Sequence, residues 1–118
     1  MKYASLIKKL FEARQVIHNE HLATNSFSTH KALGKFYEEI LEIADELAEV
    51  YQGEFGLLDL SGPINVARVE PTAYLKDLAN FLKGAPTLIG PDFQCYHQNI
   101  LDTATALCYR TIYMLTLK

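Results

Sequence analysis

The chain has no tryptophan and, among 118 residues, only two cysteines, four prolines and six glycines. Two cysteines cannot form the staple framework of a small disulfide-built domain. Cys95 and Cys108 are thirteen residues apart in what reads as one helix, roughly 20 Å along its axis, which excludes a bond between them. They read as reduced thiols of a cytoplasmic protein. No apolar run approaches the roughly 20 residues of a membrane span. The start, MKYASLIKKLF, lacks the apolar core and cleavage site of a secretory signal. Basic runs stop at Lys8–Lys9 and the formal net charge is −3, so the electrostatic footprint of a DNA-binding chain is missing. There is also no glycine-rich phosphate loop, no Cys-x-x-Cys and no nucleophile triad.

Helical periodicity is what the chain has in quantity. Half of it is hydrophobic and a fifth charged, ordinary for one globular domain with one core. From Lys2 to about Leu22, Tyr3, Leu6, Ile7, Leu10, Ala13 and Ile17 keep the three-and-four spacing of an amphipathic helix. His21 continues that stripe and His18 sits at its edge. The polar run Ala23–Ser26 closes this helix and opens the next. Helix two is expected from about Ser26 to Tyr51 or Gln52, with Gly53 as its stop. Its apolar face is Leu33, Phe36, Tyr37, Ile40, Ala44, Leu47, Ala48 and Tyr51, and Lys31, Lys35, Glu39, Glu42 and Glu46 form the solvated one.

Residues 53–70 break the period with three glycines and a proline. Fully extended at about 3.3 Å per residue, they reach more than 50 Å, enough to return along a helix of about 39 Å. Phe55, Ile64, Val66 and the leucines are expected to pack on the bundle, and Leu57–Leu60 could form a helical turn. Pro71 suits the first turn of helix three, which Gly84 and Pro86 should end near Lys83. Helix four is expected from Pro91 or Asp92 almost to the C-terminus, with His97 in its apolar stripe. These elements predict an all-α chain: a single ferritin-like four-helix bundle with a long crossover between helices two and three. An up-down-up-down bundle with an oversized middle loop is the alternative.

Metal binding is the chemistry that the polar residues allow best. His18, His21, His30, Asp45 and Glu49 are ligand types for iron, manganese or zinc. His30 and Asp45 are fifteen residues apart on one helix, about 22 Å, so they cannot share an ion within one chain. An antiparallel two-fold dimer would bring one chain's histidine end to the other's carboxylate end and form two sites. A histidine on an apolar stripe, such as His21, can equally be a hydrogen-bonded core residue. An Asp-x-x-x-Glu pair is by itself usually a solvated face. His97 is expected near the Asp45–Glu49 end, away from His21, so the four histidines do not form one site.

The stretch from His21 to Gly53 resembles Dps-type mini-ferritins, whose pattern is a first-helix His, a second His, then Asp-x-x-x-Glu. His30 matches the second histidine, and Asp45 and Glu49 match the pair. For the first, His18 keeps the twelve-residue interval, whereas His21 fits with a link three residues shorter and, as His21-Leu22, stands where the family has His-Trp. The likeness covers about a third of the chain closely and the rest by helix order. It implies an intersubunit iron site, possible ferroxidase or iron-sequestering activity and a homo-oligomer. The family's Asp one turn after the second histidine is Gly34 here, and the lysine-rich DNA-binding tail is missing. The motif H-x-x-T-x-S-F-x-x-H-x-A-L-x-x-F-Y is also similar to small proteins of tailed bacteriophages. That likeness suggests a bacterial or phage-infected cell, and the alternative of a non-enzymatic oligomeric phage accessory protein that binds a host protein or a small ligand.

Overall fold

The computed structural model describes residues 1–118 and consists of four helices: α1 Tyr3–Ala23, α2 Phe27–Phe55, α3 Pro71–Ile89 and α4 Cys95–Leu115. Each buries one stripe. Leu6, Ile7, Leu10 and Ile17 of α1 meet Leu33, Phe36, Ile40 and Leu47 of α2, Leu75, Leu78 and Leu82 of α3, and Leu101, Ala104 and Cys108 of α4 in one core. At about 1.5 Å per residue the 29 residues of α2 span the molecule's longest dimension, 43 Å.

Three hydrogen-bonded anchors establish the topology. Going up α1, Lys8 Nζ donates to the Ser61 carbonyl at 2.7 Å, Glu12 Oε1 accepts from Asn65 N–H at 2.7 Å, and Glu20 Oε2 accepts from Arg68 Nε at 2.8 Å and Val69 N–H at 3.3 Å. The segment after α2 therefore climbs beside α1 to the end where α2 began. From there α3 descends parallel to α2, and α4 returns. α1 packs on α2, α2 on α4 and α4 on α3, while α1 and α3 touch only lightly. This is the ferritin-like four-helix bundle with one crossover.

The crossover packs less than its composition suggests. Leu58 and Leu60 reach the core, but Leu57 is 90% exposed, and Phe55, Ile64 and Val66 are also exposed. Polar anchors hold it instead. No turn of helix forms at 57–60, where Ser61 N–H and Oγ–H both donate to Asp59 Oδ1, an Asx turn that replaces a helical one.

Helix ends also differ from expectation. α2 passes Gly53, whose surroundings are open, and stops at Gly56 with φ +97. Beyond Gly53, Glu54 accepts from Tyr96 Oη at 2.6 Å and Phe55 packs on Tyr51 with ring centroids 5.0 Å apart, which extends the helix. α3 likewise runs through Gly84 and Pro86, drawn on by buried Ala85 and core-packed Ile89, to Gly90 at φ +89. Pro91 and Asp92 lie in a turn, and α4 starts only at Cys95. The real stops are the glycines that adopt the left-handed region.

Candidate metal centre

The three-residue turn between α1 and α2 sets His21 and His30 face to face. Their rings stack at 3.7 Å between centroids with 19° between planes. Each ring bonds the other residue's backbone: His21 Nδ1 to the His30 carbonyl at 2.5 Å, and His30 Nδ1 to the His21 carbonyl at 2.8 Å. A carbonyl only accepts, so both Nδ1 atoms carry the proton and both Nε2 atoms, in the neutral rings, hold a lone pair. The His21 carbonyl is among the last four of α1, which have no helical partner, so His30 also caps that helix. This clasp has a structural role whatever else it does.

Gly34 makes the clasp possible. It is buried, and a Cβ built there would stand 2.9 Å from His21 Cε1 and 3.1 Å from its Nδ1. The position at which the resembled pattern has a carboxylate is here the seat of the His21 ring. The two first-helix candidates are placed differently: His21 faces His30, while His18 stacks on Tyr37 at 4.0 Å and 15°, with its centroid 6.0 Å from that of His21. Burial holds the His18 pKa below the usual histidine value, aided by the nearby Arg14 and His21. Tyr37, which sequence patterning assigns only to the core stripe, holds the group together. Its ring stacks on His18, meets His21 edge-on at 5.2 Å and lies 5.3 Å from the Arg14 guanidinium. The signal that could have found it is its position seven residues after His30, on the same helix face.

Asp45 and Glu49 lie further down α2, exposed and in no ion pair. They belong to a surface stripe, Lys31, Lys35, Glu38, Glu42, Asp45 and Glu49, spaced four, three, four, three and four residues apart. Its first turns are basic and the rest acidic. Glu38–Glu42 and Asp45–Glu49 are like-charged i,i+4 pairs, each costing roughly 0.2–0.5 kcal/mol in an isolated helix. Glu39 is held apart from the stripe by Arg110 at 2.5 Å. Within one chain no three His, Cys, Asp or Glu side chains converge as a metal ion requires. The five expected residues thus divide into His18, His21 and His30 near one end and Asp45 and Glu49 toward the other.

His97 is separate from both groups. It is fully buried, with its ring 5.5 Å from those of Tyr3 and Phe93. Gln94 N–H donates to its Nδ1 at 3.2 Å, the back-bond of a capping box, so its proton is on Nε2. That Nε2 is 3.2 Å from Glu54 Oε1 but too poorly aligned for a hydrogen bond. With Nδ1 used and Nε2 protonated, His97 offers no lone pair to a metal.

Residues 21–115 match the profile described as Family of unknown function (DUF5856). The chain belongs to that family. Searches of curated proteins and of solved structures return no match. The family's span opens on His21 and includes the clasp, the charged stripe and all of α2, α3 and α4. No helix is long and apolar enough to cross a membrane.

Proposed function

We propose that this protein is a Dps-like, metal-handling bundle whose site is shared between two copies. His21 and His30, with His18 beside them, supply imidazole. Asp45 and Glu49 of the partner subunit supply carboxylate. Iron suits this mixed nitrogen and oxygen set, as do other divalent first-row ions. The observation that carries the reading is the paired Nδ1–H to carbonyl bonds. A metal-binding histidine characteristically donates its second ring N–H to a carbonyl or carboxylate, which fixes the tautomer and aims the other nitrogen's lone pair. Two histidines in that state, side by side, meet this requirement twice.

The charged stripe supports the antiparallel pairing. Running two copies of α2 in opposite directions places the Lys31–Lys35 end of each against the Asp45–Glu49 end of the other, and the contact is isologous. The carboxylates that repel one another within a chain are then neutralised across the interface. With Gly34 occupied by the His21 ring rather than by a carboxylate, we assign metal binding to this site and do not extend it to catalysed oxidation.

Anaerobic titration with Fe(II), followed by metal analysis of the desalted protein, tests the proposal. The parent should take up about one ion per chain, since a two-fold dimer closes two sites. His30→Ala and Asp45→Ala should each weaken binding at least about tenfold. A parent that retains no metal would sink the reading. The clasp would then be a structural cap, and the exposed Leu22 and Phe27 that flank the turn would favour a protein-binding role.

A further inference from the structure

At the end of the bundle opposite the α1–α2 turn, a cavity of about 390 Å³ opens where α1 begins, α2 ends and the crossover starts. That volume is in the range of small-molecule sites, about 300–1,000 Å³. Its lining has three chemical characters. Tyr3 and Tyr51, with ring centroids 4.2 Å apart, and Leu58 make an apolar wall. Asp59 and Asp92 add two carboxylates, neither in an ion pair. Ser61 bonds only Oδ1 of Asp59 and holds that carboxyl below the usual range, so it is ionised with Oδ2 free. The third character is positive. Lys2 lines the cavity beside the first turn of α1, which has no side-chain cap and no acidic residue. The N–H groups of Tyr3 and Ala4 have no partner in the chain, and the 21-residue helix behind them turns its positive end to the same space. Tyr3 is 5% exposed and its hydroxyl is also unpartnered.

We propose that this cavity binds a small α-amino acid with an apolar side chain. The ligand carboxylate meets the uncapped first turn of α1 and Lys2, the ammonium meets Asp59 and Asp92, and the side chain rests on Tyr51 and Leu58. Lys2 already lies near Asp59; a zwitterion brings a partner of opposite sign to each set, whereas a plain amine or a plain acid brings one to a single set. Nothing in this site depends on the metal centre at the other end.

Calorimetric titration of the whole chain with L-leucine, isopentylamine and 4-methylpentanoate separates these cases, because the three share one apolar body and differ in charge. L-Leucine should bind, and each analogue lacking one charge should bind at least about tenfold more weakly. The Asp59→Asn, Asp92→Asn double variant should lose affinity for L-leucine by a similar factor, with circular dichroism confirming its fold. No heat from L-leucine at millimolar concentration would overturn the proposal, as would equal binding by either analogue or by the double variant. The analogue series uses the parent protein, so it decides the question even if the variant misfolds.

Discussion

Replacing Gly34 with leucine is expected to lower stability by about 2 kcal/mol and to unseat the His21 ring from the histidine clasp. Even the first atom of the new side chain would meet the His21 ring at 2.9 Å, so the ring must leave. Its departure gives up the bond from His21 Nδ1 to the His30 carbonyl, worth about 1 kcal/mol net, and the larger side chain overpacks a buried position at a cost of about 1–3 kcal/mol. A gain of about 0.8 kcal/mol in helix propensity over glycine offsets only part of this. Thermal unfolding should show a midpoint lower by roughly 7 °C. Alanine is the informative control. Its propensity gain is about as large as the loss of one bond, so Gly34→Ala should melt near the parent while still displacing His21. Long-range proton–nitrogen spectra would then show His21 leaving the Nδ1–H tautomer at almost unchanged stability. A parent-like His21 signal in Gly34→Leu would contradict the packing described.

Glu20→Ala is expected to release the upper half of the crossover. Glu20 is buried within α1, and its carboxylate accepts from Arg68 and from Val69 N–H just before α3 begins. The exposed guanidinium can find water, so the ion pair itself adds little. The larger loss is the backbone donor left without its acceptor beside a newly emptied, buried position, about 1–3 kcal/mol. Hydrogen exchange should speed up at Val69 and the first turn of α3, while α2 keeps its protection. Glu20→Gln retains one acceptor oxygen and should fall between parent and alanine. Uniform loss of protection in all four helices would instead make Glu20 a general core residue rather than the crossover's pin.

Much of the fold was legible because period, length and chain reach are sequence quantities. The stripes of α1 and α2, and the reach of residues 53–70, are enough for four helices and one crossover. Helix ends were harder to read, because Gly53 and Gly84 can lie in a helix or stop one, and packing beyond them decides. Phe55 and Tyr96 extend α2, and Ala85 and Ile89 extend α3 through a proline. At the candidate site, spacing separated the His30 end from the Asp45–Glu49 end but left His18 and His21 as equals. Their difference depends on ring orientation and on the room above Gly34, which exist only after α1 has docked on α2. The role of Glu20 was hidden in the same way, since its partners are 48 and 49 residues away.

The most direct test of a site built between two copies is complementation. A His21→Ala, His30→Ala chain and an Asp45→Ala, Glu49→Ala chain should each bind no metal alone. Mixed in equal amounts and allowed to exchange subunits, half of the dimers are hybrids. In each hybrid the histidines of one chain face the carboxylates of the other in one intact site, and the second site lacks both halves. Fe(II) uptake by the mixture should therefore recover to about a quarter of the parent's. A mixture that exchanges subunits and still binds no metal would contradict a shared site, and so would a carboxylate variant that binds as well as the parent.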